Sequence, residues 1–134
     1  MSPEARVAFR PVGASIPDLL AEHRETLVRW GAERERFGEP NVARRATEVS
    51  REAHAQFKVL RESDEGRAGI AALMHDPNPY VASVAAAHSL LWTPDSATAA
   101  LEGMERSEDV PWQVRANAKQ MLKDWRAGRL SFDW

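Results

Sequence analysis

The feature that most constrains this chain is an internal repeat. Shifted by 33 positions, Pro79–Trp92 superimposes on Trp112–Trp125, pairing Val81 with Val114, Ala85 with Ala118, His88 with Met121 and Trp92 with Trp125. The spacing is i, i+4, i+7, i+11, one face of an α-helix. A turn with Asp and Pro precedes each copy: Asp76-Pro77-Asn78-Pro79 and Asp109-Val110-Pro111. Proline early in a helix sacrifices only an amide that would be unpaired anyway. Asn78 and Asp109 are placed to accept from the next free amides as N-caps. A shorter helical pattern leads into each copy, first Ala68, Ala71, Ala72, Leu73 and then Ala97, Ala100, Leu101, Met104. A unit of short helix, turn and longer helix, repeated at this period, predicts an α-solenoid.

The segments LMHDPNPYVASVAAAHSLL and DVPWQVRANAKQML resemble HEAT-type repeats, with Asp76 then Val81 in the first and Val114-Arg115 in the second. The first copy has Ala82 where Arg often follows the Val. The wider run from Trp30 to Leu130 resembles a small bacterial HEAT-like family known as domain of unknown function 2019. The ending ANAKQMLKDWRAGRL carries most of that likeness. The resemblance implies an all-α fold and brings no activity with it.

Composition narrows the function classes. The chain has 134 residues, the size of one domain. Its net charge of −2 gives no global basic field of the kind that marks a nucleic-acid binder. The absence of Cys removes disulfides, thiolate nucleophiles and Cys-based zinc sites. The opening MSPEARVAFRPVGASIPDLL has no continuous apolar core of a signal peptide, and no run is long enough to span a membrane, so a cytoplasmic protein is expected.

In chain order, residues 1–14 read as an arm, with Val7, Phe9 and Val12 alternating as a short extended piece would. Residues 15–62 read as a helix pair. Ser15 and Asp18 make a capping-box-like start, and the first helix buries Leu20, Leu27 and Trp30, with His23 and Val28 flanking. It ends before Gly38-Glu39-Pro40. Asn41 is placed to cap the second helix, whose stripe is Val42, Ala46, Val49, Ala53, Phe57 and Leu60. Residues 63–130 hold the two hairpins, with Ser63 and Thr93 as caps, Pro94 at a first helical position, Gly103 inside a helix and Gly128 as a C-cap. Residues 131–134 form a tail, in which Leu130, Phe132 and Trp134 alternate and could fold back on the last helix. The predicted fold is one all-α domain of about six helices, a short HEAT-like α-solenoid with an N-terminal helical pair.

Catalytic patterns are weak. His23, His54, His75 and His88 lie 31, 21 and 13 residues apart, with no pair at ligand spacing, so neither a metal nor a cofactor is expected. No nucleophile elbow or phosphate loop occurs. Trp92 and Trp125 read as core, and Trp112 as exposed. The candidate binding residues are on and beside the last helix. Arg115, Lys119, Lys123 and Arg126 step by 4, 4 and 3 along one stripe, with Trp112 at the helix start and Glu105, Glu108 and Asp109 in the preceding turn. In a stacked-hairpin solenoid the second helix of each repeat lines the binding face. Analogy then suggests a non-catalytic protein-binding module, an immunity or antitoxin-type protein whose partner is a bacterial toxin domain. Two alternatives stand beside it. One is a nucleic-acid-binding protein or base-directed enzyme on the same scaffold. The other is a structural homo-oligomer with Trp112 and the C-terminal aromatics as its seam.

Overall fold

The first helix starts where the sequence places it. In the computed structural model, which describes residues 15–134, the Ser15 Oγ accepts from the Asp18 amide at 3.2 Å, and Pro17 occupies the first turn. The arm expected over residues 1–14 lies outside the described residues. α1 runs Ile16–Glu35 and α2 runs Val42–Leu60, with Gly38 between them at φ +99°.

The buried face of α1 is not the expected one. Leu19, His23, Thr26, Leu27 and Gly31 point inward, while Leu20, Val28 and Trp30 are only half-buried. Against them α2 buries Val42, Ala53, His54, Gln56, Phe57 and Leu60, with Ala46 and Val49 half-buried. The register differs because polar groups in the seam satisfy one another. The His23 Nδ1–H donates to Gln56 Oε1 at 2.8 Å, because an amide oxygen can only accept. Gln56 Nε2 donates to Thr26 Oγ1 at 2.9 Å, and the Thr26 hydroxyl donates to the Glu22 carbonyl at 3.0 Å. His23 Nδ1, Gln56 Nε2 and the Thr26 hydroxyl each have an acceptor, which offsets the cost of burying them. The exception is His23 Nε2, a buried acceptor with no partner among the described residues. Burial lowers the pKa of His23, and its bond to Gln56 pulls the other way by less.

Ion pairs rim this seam. Arg29 meets Glu52 at 3.0 Å and Arg45 meets Glu33 at 2.9 Å, so Arg45 reaches across to α1 and leaves Glu48 to Arg44 at 3.3 Å. Asn41 does not cap α2 with its side chain. Its backbone is left-handed at φ 66°, and only its carbonyl receives the Arg45 amide.

α3 runs Asp64–Leu73 and turns tightly off α2. The Ser63 Oγ accepts from the Gly66 amide at 3.0 Å, the cap expected there. Arg67 donates to the Arg61 carbonyl and pairs with Asp64. The backbone divides into two compact units, one ending at Gly69 and the other beginning at Ile70.

The second unit is built from α4 (Pro79–Ser89), α5 (Pro94–Arg106) and α6 (Trp112–Arg126), which pack pairwise. Asn78 caps α4, accepting from the Tyr80 amide at 2.9 Å and the Val81 amide at 3.3 Å. α4 is buried nearly all round: of its residues only Pro79 and Val84 are half-buried. It can be so because alanines and serines fill most of its surface. α5 and α6 instead bury one face each, Ala97 and Leu101 on one, Val114, Ala118 and Leu122 on the other. The repeat pairs Val81/Val114 and Ala85/Ala118 therefore agree in burial. His88 is buried but Met121 is half-buried, and Trp92 and Trp125, expected in the core, are also half-buried.

Two expected caps fail in this unit. Thr93 precedes Pro94 but makes no side-chain cap, and α6 begins from Pro111, not Asp109. The last helix closes as expected at Gly128, at φ +72°. The Gly128 amide donates to the Trp125 carbonyl at 3.1 Å and the Arg129 amide to the Asp124 carbonyl at 2.8 Å, a Schellman motif. The tail folds back onto α4: the Phe132 ring meets His88 edge-on at 4.8 Å. All six helices and no strand occur among the described residues, and none of these helices is long and apolar enough to cross a membrane.

Candidate functional site

α6 sets the site. Its inward face anchors it through Val114, Ala118 and Leu122, each almost fully buried. Arg115, Lys119 and Lys123 follow each of these by one residue and so share a neighbouring stripe. Lys119 and Lys123 are exposed and Arg115 is half-buried, with its Nε shut away from solvent and unpaired. None of the three makes an ion pair or hydrogen bond among the described residues.

The C-terminal end of the helix differs. Arg126 donates to Glu102 of α5 at 2.7 Å. Arg129 donates to Asp124 at 3.1 Å, and Asp124 also accepts from Gln120 at 2.9 Å. Charge is thus neutralised at one end of α6 and left uncompensated along its middle. Exposed pairs such as Arg126–Glu102 contribute only a few tenths of a kcal/mol to stability. Their consequence here is electrostatic: they remove Arg126 from the set of free cations.

An open groove of about 500 Å³ runs between α5 and α6, lined by Glu105, Lys119, Leu122, Lys123, Arg126 and Ala127. The floor is apolar, since Leu122 is 1% exposed. With Glu102 counted, three cations face two carboxylates, and the excess lies with Lys119 and Lys123. Trp112, Arg115, Glu108 and Asp109 lie outside this groove. Trp112 is 66% exposed at the start of α6, Glu108 and Asp109 are exposed in the preceding turn, and the Asp109 amide donates to Ser107 Oγ at 3.2 Å. The expected set therefore divides into a groove and a separate aromatic-cationic stretch. Leu122 and Ala127, the apolar members of the groove lining, were not among the candidates. Leu122 was readable as a buried position, but its place at the base of a groove depends on how α5 packs against α6.

Other chemistry is thin. No group of three or more His, Asp or Glu side chains among the described residues could hold a metal ion. A second open depression, lined by Met74, His75, Ala99, Gly103, Met104 and Val110 among others, carries no Asp, Glu, Lys or Arg side chain. No protein-family model, curated protein or solved structure matches the chain.

Proposed function

We propose that this protein is a non-catalytic protein-binding module, a short HEAT-like helical repeat that holds its partner along α6. The observation that carries the reading is the row Arg115, Lys119 and Lys123. These are three cations at one-turn spacing, none of them in an ion pair among the described residues, on a helix whose other cation, Arg126, is paired. Free cations in a row cost little in water and raise the local potential, so they favour capture of a partner with an opposite patch. The exposed Trp112 beside them adds the aromatic-with-Arg composition common at interface hot spots.

Within this reading the protein acts as an immunity or antitoxin-type partner that occludes a toxin domain. The support is the likeness of Trp30–Leu130 to domain of unknown function 2019, together with the way small stand-alone helical-repeat proteins are used. The carboxylates Glu105, Glu108 and Asp109 next to the stripe weigh against a nucleic-acid strand as the occupant, since they would repel its phosphates.

The test is affinity capture from the native host with three baits. They are the wild-type protein, one with Arg115, Lys119 and Lys123 changed to Glu, and one with Arg44 and Arg51 changed to Glu as a charge control. The expected result is one stoichiometric protein partner, kept by the control bait, lost by the reversed bait and released by salt. A partner held equally by all three baits removes the site, and recovery of nucleic acid in its place replaces the reading with the nucleic-acid one.

A further inference from the structure

We infer that the groove between α5 and α6 receives an acidic amphipathic α-helix of the partner, lying along α6 with two carboxylates one turn apart. This inference rests on the protein-binding reading above and specifies what occupies the site.

Three features of the groove select such a ligand. The first is spacing. Lys119 and Lys123 are four residues apart on one helix, so their Cβ atoms stand about 5–6 Å apart. Carboxylates at i and i+4 of a second helix repeat at that same interval, so one rigid ligand satisfies both ammonium groups at once. An extended peptide repeats its same-side residues about every 6.4–6.8 Å, a longer interval. The second feature is the floor. The exposed Ala127 and the almost fully buried Leu122 line the groove with the charged side chains, so the ligand presents an apolar side chain between its carboxylates and its opposite flank. That is the pattern of a helix whose apolar face lies in a groove. The third is the far wall. Glu105 lines the groove from α5 and forms no ion pair, so an occupant acidic all round would be repelled there. The ligand helix therefore carries a Lys or Arg on the flank facing α5. Arg126 also lines the groove but is paired with Glu102, which leaves Lys119 and Lys123 as the cations to be matched.

The charge row thus specifies one face of the ligand, Glu105 the opposite flank, and Leu122 the ridge between. Nucleic acid meets none of the last two requirements.

The test uses the full chain and synthetic probes read by fluorescence anisotropy. The first probe is a labelled 15-residue peptide with Glu at i and i+4, Leu between them and Lys on the opposite flank. The second has the same sequence with one central Pro, which breaks the helix while keeping the composition. The third is a single-stranded oligothymidine. We expect the first peptide to bind, the second to bind about tenfold more weakly, and Lys119→Glu with Lys123→Glu to weaken the first by about tenfold or more. Glu105→Lys should weaken it as well, by repelling the ligand's cation. Equal binding of the two peptides, no binding of the first, or tighter binding of the oligonucleotide overturns the helix inference. If that happens while the reversed bait still loses its protein partner, the protein-binding reading stands and only the form of the ligand is wrong.

Discussion

Gly66→Ala is the substitution for which the structure makes the sharpest prediction. A Cβ built on Gly66 would stand 1.9 Å from the carbonyl oxygen of Leu60 and 2.7 Å from its carbon. An ordinary C···O contact is about 3.3 Å, so the start of α3 must move by about 1.4 Å from the end of α2. The obstacle is backbone at the C-terminal end of α2, beside the fully buried Leu60 side chain, so no rotamer change relieves it. Opening the corner also strains the bond from the Gly66 amide to Ser63 Oγ. Overpacking at this severity costs about 3 kcal/mol, and loss of the cap about 1 kcal/mol. The better helix propensity of Ala returns about 1 kcal/mol. The net loss is about 3 kcal/mol, a large share of a domain's stability of about 5–15 kcal/mol. Gly103→Ala is the control. It also lies within a helix, but nothing comes within 4 Å of its Cβ, so it should gain about 0.5–1 kcal/mol. Urea unfolding followed by circular dichroism reads both. With a slope of about 2 kcal/mol per molar, Gly66→Ala should lower the midpoint by about 1.5 M, while Gly103→Ala raises it slightly. Two midpoints moving in the same direction would refute the argument that the corner is closed by backbone contact.

The remaining predictions concern the seam and the helix ends. His23 has a folded pKa below its unfolded value, so the unfolded chain binds the proton more readily. Stability should hold above about pH 6.5 and fall as the pH drops below it. His23→Gln should remove part of that slope in unfolding curves taken between pH 5 and 8. An unchanged slope would show that His23 binds its proton equally well in both states. Gln56→Leu should destabilise by about 2 kcal/mol even though it makes the seam more apolar, because the His23 Nδ1–H loses its acceptor. A neutral or stabilising result by thermal denaturation would argue against the hydrogen-bonded chain. Gly128→Ala should cost about 1 kcal/mol by forcing a side chain into the left-handed region, read as lost helicity at the end of α6.

What could be read in advance, and what could not, divides by the range of the interaction. The caps at Ser15, Ser63 and Asn78 and the stop at Gly128 depend on residues within five positions, and they formed where the sequence placed them. Asn41 failed because the turn through Gly38 holds its backbone left-handed, a preference that side-chain pattern does not express. The inward face of α1 was misread because His23, Thr26 and Gln56 look like surface residues. They are buried only by virtue of one another, across 30 or more positions. The cation stripe on α6 was legible from its spacing. Which of its members stay free was not, because Arg126 is neutralised by a residue 24 positions away. The reading of Trp92 and Trp125 as core positions treated the two repeats as equals, although α4 is enclosed and α6 is not.

That difference has an evolutionary consequence. In α4 the residues Ala82, Ala85, Ala86 and Ala87, with Ser83 and Ser89, occupy closed positions, so almost any exchange there adds volume to a filled space. The outward faces of α5 and α6 are exposed or half-buried and tolerate replacement better. Selection can therefore rewrite the outward residues of α5 and α6 one at a time, while α4 stays fixed. A lineage under pressure to change partners would keep its alanines and vary its lysines.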